Sequence, residues 1–320
     1  RARACAAPVQ GWGPMALGRD AAAASPEERP CALTVSVVVP ALNEAANVRR
    51  AVESALHGPG GAISSKPPEV IVVDGGSSDT TAAEARDAGA TVIVTTRGRA
   101  HQCNVGARHA TGDVLIFLHA DSTLPPSYDV HLHRLFAPPR RLRAVHRRRP
   151  RVQCWRKHLA ADHHQDIAAL PEWGAFQFRL ERDVDASSDT ASVARGWCLG
   201  INNLGRRLVE LCVGARTRLF RMPYGDQGLI VRRSTFEALG GFAPMTFMED
   251  FELVGRLRRR GPPALVPLPV TTSARRWDAM GLLRVTAVNQ LVVWGYVCGV
   301  PVERLARWYK AGRDMGGAGG

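Results

Sequence analysis

The sequence predicts an α/β protein in which a mostly parallel sheet is flanked by helices. Residues 33–56 and 69–89 each show the pattern of a strand, a loop and a helix, in that order. In both, a run of β-branched residues stops abruptly, and apolar residues then recur every three or four positions. Two such units in succession predict parallel strands in one sheet, because each helix returns the chain to the same end.

The two units differ in how their loops and helices begin. In LTVSVVVPALNEAANVRRAVESAL (33–56), the strand stops at Pro40 and Asn43 is the expected N-cap of the helix. In the second unit the strand ends at Asp74, just before a Gly-Gly turn. Its helix is expected to open with a capping box from Thr81 to Glu84.

More strands and helices are predicted beyond these units. A strand over 90–96, a helix over 99–112 and a strand over 113–118 continue the plan. The four strand ends then meet at one edge of the sheet, where ligands bind in open α/β proteins. The later elements are helices over 127–136 and 248–261, a strand over 173–180, a long helix containing Leu204, Leu208 and Leu211, a strand with a short helix over 225–242, and an apolar segment over 277–309.

The chain divides into one large domain, an insertion and two terminal segments. Residues 1–32 are rich in Ala, Arg, Gly and Pro, which suggests a disordered arm or the remnant of a leader. The domain is expected over 33–311, with a disordered basic insertion at about 137–170, and 312–320 is a flexible Gly-rich tail. Seven scattered cysteines without a CxxC pair favour the cytoplasm, or a plastid or other organelle if the leader was a transit peptide.

The net charge of +13 has a local source. Nine Arg and Lys residues lie between Arg140 and Lys157, with no acid among them. One hypothesis is therefore a protein that binds nucleic acid or anionic lipid through this segment. Trp155 is the only aromatic residue in it that could stack on a base, so the sequence indicates no specific nucleic-acid recognition.

Polar residues follow the predicted strands where a ligand would bind. Asp74 could meet a nucleobase or ribose, or form an Asx turn that stabilises the corner. Asp121 could bind Mg²⁺ or Mn²⁺, because one carboxylate suffices when substrate phosphates complete the coordination shell. His119 could bind Mn²⁺, contact phosphate or hold Asp121 in place, and both residues could also be no more than a polar strand end.

Two further groups of residues are candidates. Glu249 and Asp250 open a predicted helix, either as complements of its dipole or as a general base for an acceptor hydroxyl. The segment after the third strand carries side chains suited to contact phosphate or sugar, or else forms solvated surface. These side chains are Arg97, Arg99, Gln102 and Asn104.

Seven segments share a pattern with a known family: SVVVPALNEAANV, VIVVDGGSSDTT, GRAHQCNVGARHATGDVLIFLHADS, WGAFQFRL, GDQGLIVRR, LGGF and MEDFEL. In order, spacing and residue type they resemble the family 2 glycosyltransferases, over roughly 33–127 and 173–309. The HADS and GDQ segments and TSARRW (272–277) resemble a bacterial-type subgroup associated with arsenosugar biosynthesis.

The resemblance implies a GT-A fold, a nucleotide-diphospho-sugar donor, UDP-sugar foremost, and inversion at the anomeric carbon. It also implies a divalent cation, Mn²⁺ or Mg²⁺, and a small-molecule or lipid acceptor. By position, Asp250 would be the general base with Glu249 beside it, and Asp121 would bind the metal. His119 stands where the family has its first metal-binding acid. The nucleotide-sugar pocket would comprise Pro40, Ala41, Asn43, Glu44, Asp74, Arg97, Gln102, Asn104 and Asp121.

The resemblance also assigns the other side of the site. Asp226 and Gln227 would face the donor sugar or the acceptor, and Trp277 could stack on a sugar ring. A nucleotidyltransferase is a third hypothesis, but the loop PALNEAAN lacks the glycines of a phosphate-binding loop. Residues 277–309 could contact a membrane peripherally; Arg284, Asn289 and Gln290 interrupt the apolar surface and favour packing on the domain.

Overall fold

The computed structural model of the chain describes residues 33–56, 67–137, 170–181, 193–275, 277 and 281–314. The predictions for 1–32, for nearly all of the basic insertion and for the C-terminal tail fall outside these ranges. The strands are β1 (Val35–Ala41), β2 (Glu69–Asp74), β3 (Thr91–Val94), β4 (Val114–Phe117), β5 (Ser122–Thr123), β6 (Trp173–Leu180), β7 (Leu229–Arg232) and β8 (Ala264–Thr272). The helices are α1 (Ala45–Leu56), α2 (Thr81–Asp87), α3 (Arg99–His109), α4 (Tyr128–Phe136), α5 (Val193–Phe220), α6 (Arg233–Ala238), α7 (Glu249–Arg258), α8 (Leu282–Val297) and α9 (Val302–Asp314), with a 3₁₀ turn at Gly225–Gln227.

The strands form one eight-stranded sheet in the order β3-β2-β1-β4-β7-β6-β8-β5. β1 to β4 are parallel, as the sequence predicts, while β7 runs antiparallel to both β4 and β6. β6 and β8 are parallel to each other. The carboxyl ends of the first four strands therefore share one edge, and the later strands extend the sheet beside it.

Both faces of the sheet are buried, which explains the continuous apolar runs of its central strands. Val37 and Val39 of β1 pack on one face with α1 and α4. Val38 packs on the opposite face with residues of α3, α6 and α7. Because successive side chains of a strand alternate between faces, one valine-rich segment contributes to both cores.

α3 lies close against the sheet because of a glycine in its middle. A Cβ atom built on Gly106 would overlap Val38 Cγ1 and would lie 3.0 Å from Val73 Cγ2. This close approach brings the first turn of α3 to the ligand-binding edge, and Arg99 is the first residue of that helix.

Two predicted helix caps are wrong. Asn43 has a left-handed backbone (φ 54°), and α1 starts one residue later, with the carbonyl of Glu44 accepting hydrogen bonds from Asn47 and Val48. The hydroxyl of Thr81 accepts a hydrogen bond from the Glu44 amide at 2.8 Å, so it joins α2 to α1 instead of capping its own helix.

The segment 277–309 forms α8 and most of α9, which pack together and onto the start of α7. Val292 and Leu305 are buried, and Met248 joins their cluster. Within the described ranges, none of the helices combines the length and apolarity that a membrane crossing requires.

Candidate active site

The loops after β1 and β2 are locked together by hydrogen bonds. Asp74 is 3% exposed, and its Oδ1 accepts hydrogen bonds from the Ser77 amide, at 3.1 Å, and from the Ser77 hydroxyl. The Asn43 amide donates to Ser77 Oγ, and Asn43 Oδ1 accepts from the Ser78 amide, both at 2.9 Å. Asp74 therefore forms the Asx turn, one of the two interpretations that the sequence allowed.

Three residues predicted to bind the nucleotide sugar instead hold backbone segments in place. Gln102 is buried, and its Nε2 donates to the carbonyls of Ala41 and Val73, both at 2.8 Å. Asn104 pairs with the amide and the carbonyl of Phe242, each at 2.9 Å. Ala41 is itself buried, with its carbonyl used by Gln102. In the structure these side chains support the backbone around the site, and their contact with a nucleotide sugar stays a prediction.

The remaining residues predicted for this pocket stay at its edge. Arg97 is exposed in the loop between β3 and α3, and Pro40 is partly buried at the end of β1. Glu44 Oε2 accepts hydrogen bonds from Asn47 at 2.6 Å and from Arg275 at 3.1 Å. The edge thus offers both a cation and carboxylates to an incoming ligand.

Arg99 lies at the centre of the site. Its guanidinium contacts His119 Nε2, and its Nε lies 3.3 Å from Glu249 Oε1. The Arg99 side chain is 40% exposed. Desolvation by the surrounding protein would lower its pKa, but Glu249 and Asp250 raise it, so the side chain is a fixed positive charge. Burial raises the pKa of the Glu249 carboxyl, with Arg99 opposing and Asp250 adding to the shift.

Asp250 is oriented by two backbone amides. Its Oδ2 accepts a hydrogen bond from Gly225 and its Oδ1 from Phe251, both at 2.8 Å. A Cβ on Gly225 would overlap Arg99, and would lie 2.9 Å from Asp250 Oδ2 and 3.2 Å from His119 Nε2. The absence of a side chain at this glycine is therefore what allows Arg99, His119 and Asp250 to converge.

His119 and Asp121, predicted to share a metal, lie in different surroundings. Asp121 is partly buried beside Glu44 and Arg275; burial and Glu44 raise its pKa, and Arg275 opposes the shift. Asp121 fits a hard cation, which takes one or two carboxylates and the oxygens of a bound diphosphate. His119 does not fit, because the Arg99 guanidinium against its Nε2 would repel a cation. Among the described residues, no three His, Cys, Asp or Glu side chains are grouped as a metal site.

A large cavity opens beside Asp250. Its volume is about 790 Å³, and Arg99, His119, Asp226, Glu249 and Asp250 line its polar end. The rest of its wall comes mainly from apolar residues of α5, α8 and the start of α7. Asp250 and the sheet-edge residues Arg99 and His119 thus share this cavity.

The residues predicted for the sugar or acceptor side divide into two groups. Asp226 and Trp277 line the cavity. Gln227 is 1% exposed: its Oε1 accepts hydrogen bonds from Arg216 and Thr217, both at 3.1 Å, and its Nε2 donates to the Phe176 carbonyl at 3.1 Å. The Gln227 amide thus secures the 3₁₀ turn to α5 and β6, and a contact with the sugar stays a prediction.

Sequence reasoning missed the central position of Arg99 and the requirement for glycine at 225. Arg99 was one of several polar residues after β3, and its partner Glu249 lies 150 residues further along the chain. The GDQ segment did carry a signal, because a glycine beside an acidic residue is typical of a point where another group approaches the backbone closely.

Comparison with known proteins shows which family the chain resembles. Residues 36–185 match the model of the family described as Glycosyl transferase family 2. Over these residues the chain is similar to the family 2 glycosyltransferases. No curated protein sequence matches the chain.

Solved glycosyltransferases share the fold. The mannosyltransferase PcManGT from Pyrobaculum calidifontis, solved in complex with GDP-Man and Mn²⁺, is 18% identical and gives a TM-score of 0.51. The alignment covers 82% of this chain and 62% of that enzyme, so the chain spans less than two thirds of its length. The glucosyl-3-phosphoglycerate synthase of Mycobacterium tuberculosis is 20% identical, with 84% of this chain and 82% of that chain covered and a TM-score of 0.45. The first of these confirms the predicted GT-A fold of the chain.

Proposed function

We propose that the protein transfers a sugar from a nucleotide-diphospho-sugar to an acceptor hydroxyl, with inversion at the anomeric carbon and Asp250 as general base. The observation that carries the proposal is the position of Asp250, which is held by the Gly225 amide and lines the cavity together with Arg99 and His119. In-line displacement needs donor and acceptor on opposite sides of the reacting carbon. The mannosyltransferase of the same fold was solved with GDP-Man and Mn²⁺, which supports this class of donor.

The donor diphosphate would bind at the sheet edge. Arg99 supplies a positive charge there, and Arg275 lies with Glu44 at the same edge. Asp121 would hold a divalent cation, which offsets charge on the leaving diphosphate when bound. The acceptor hydroxyl would approach from the cavity, and Asp250 Oδ2 would take its proton while the Gly225 amide keeps the carboxylate in place.

A donor screen tests this function. UDP-, GDP- and dTDP-sugars are incubated with the full chain and Mn²⁺, and release of nucleoside diphosphate is measured, with UDP-sugars tried first. Asp121→Ala should weaken donor binding, whereas the exposed Asp87→Asn should not, because Asp87 lies at the end of α2. NMR of the product gives the anomeric configuration, and retention would refute the inverting mechanism. The link to arsenosugar biosynthesis stays a prediction for the choice of acceptor.

A further inference from the structure

We propose that the acceptor is a neutral alcohol carried on an apolar tail, and that the cavity beside Asp250 binds this tail. The inference rests on the proposed function, because it names the substrate of the same site. It follows from the wall of the cavity, its charges and its opening to the surface.

The wall of the cavity is apolar away from Asp250. Its volume of about 790 Å³ lies within the range of about 300–1,000 Å³ that is usual for small-molecule sites. Helices α5, α7 and α8 and the turn before α7 supply its surface. The apolar side chains include Val209, Val213, Phe247, Phe251, Val292 and Val293.

The charges in the wall disfavour an anionic acceptor. Among the lining residues that the structure describes, the cations are Arg99 and Arg216. Arg99 faces His119 and Glu249. Arg216 donates to the Met222 carbonyl at 3.0 Å and lies over the ring of Tyr224, 3.5 Å from its centroid. In the proposed function the donor diphosphate takes the charge of Arg99. Three acids line the same cavity, so a carboxylate or phosphate on the acceptor would meet repulsion that Arg99 does not offset. The acids are Asp226, Glu249 and Asp250.

The cavity continues onto an exposed apolar surface. Leu208 and Phe220 line it and are 57% and 62% exposed. Leu211 and Leu219 extend this surface along α5, at 69% and 75% exposed. Exposed apolar patches of this kind mark binding sites more often than inert surface. A tail longer than the cavity would therefore lie against α5 instead of in water.

Two cysteines give a test that needs no sugar donor. Cys212 lines the cavity, whereas Cys298 is exposed outside it. The full chain is treated with iodoacetamide with and without decan-1-ol, and the alkylation of each cysteine is followed by peptide mass mapping. Decan-1-ol should slow the alkylation of Cys212 at least tenfold and leave Cys298 unchanged. The alcohol concentration that gives half protection should fall about fourfold per methylene from hexan-1-ol to decan-1-ol.

Matched variants assign the effect to the cavity. Val213→Asp should raise the concentration for half protection at least tenfold, whereas Leu291→Asp, on α8 at a side chain that is 55% exposed and does not line the cavity, should not. The same alkylation assay with hexadecan-1-ol in phosphatidylcholine vesicles tests where the tail comes from. Protection of Cys212 by the vesicles indicates a tail taken from a bilayer, and protection by the shorter free alcohols alone indicates a tail taken from water.

Three results would overturn the proposal. The first is equal protection of Cys212 and Cys298, and the second is stronger protection by decyl phosphate or 3-phosphoglycerate than by decan-1-ol. The third is a Cys212 that resists iodoacetamide without any alcohol, since the cavity would then be filled already. Donor turnover without protection of Cys212 refutes this acceptor and leaves the proposed function standing. Protection without sugar transfer to any alcohol would instead count against the proposed function.

Discussion

Replacing Gly225 by alanine should abolish activity with little effect on stability. The added Cβ would overlap the Arg99 guanidinium and lie 2.9 Å from Asp250 Oδ2, well inside the 3.5–4.0 Å at which carbon atoms pack best. Both neighbours are ends of side chains, so they can move aside. The backbone of Gly225 does not have a positive φ, so alanine fits it without strain.

The expected magnitudes follow from this geometry. A shift of about 1 Å in a catalytic group costs about a hundredfold in rate, and Gly225→Ala displaces two such groups at once. The free energy of unfolding should change by less than about 1 kcal/mol, because alanine restricts the unfolded chain and offsets part of the rearrangement.

Gly255→Ala is the matched control. Gly255 lies in α7, the helix that starts with Glu249 and Asp250, and its Cβ would meet nothing within 4 Å. This variant should stay within twofold of the parent activity and gain about 0.5–1 kcal/mol of stability from better helix propensity. Donor turnover and urea unfolding are measured for both. Equal activity of the two variants would refute the convergence of Arg99 and Asp250 on Gly225.

Three other variants or labelling patterns test the site. Arg99→Met should lower donor turnover at least a hundredfold, measured as nucleoside diphosphate release, because it removes the charge at the sheet edge while keeping much of the bulk. Asn104→Ala should cost about 1–3 kcal/mol in urea unfolding and leave donor affinity unchanged, because Phe242 loses both hydrogen-bond partners; weaker donor binding at full stability would restore the ligand role. Burial raises the pKa of Cys103 to about 12, so at pH 8 the native protein should be alkylated at Cys298 and not at Cys103, and urea should expose both.

The sheet was predictable because its pattern is local. The β-branched runs of β1, β2 and β4 end at turn or polar residues, and parallel order follows from the intervening helices. β6 matches its predicted range, Trp173–Leu180, because aromatic and polar side chains alternate there. Polar residues in the expected places also identified Asp121 and Asp250 as candidates.

The uses of polar side chains were not predictable, because their partners are distant in the chain. Gln102 and Asn104 are residue types that often contact ligands, yet each pairs with backbone groups of other elements. The partner of Asn104 is 138 residues away in the chain. Gln227 is similar, since only the folded chain brings Arg216 and Phe176 to it. The cavity arises from helices that meet only in three dimensions, and no single segment encodes it.

The most direct test of the central claim is Asp250→Asn, assayed for donor binding and sugar transfer in the same preparation. Asparagine has the same shape, and its one oxygen can still accept a hydrogen bond from Gly225, at the cost of the hydrogen bond from Phe251. It cannot take a proton from the acceptor hydroxyl. Donor affinity should therefore stay within threefold of the parent, while transfer falls by about 10²–10⁴. Full transfer activity in Asp250→Asn, with Asp87→Asn as the reference, would contradict the assignment of Asp250 as the base.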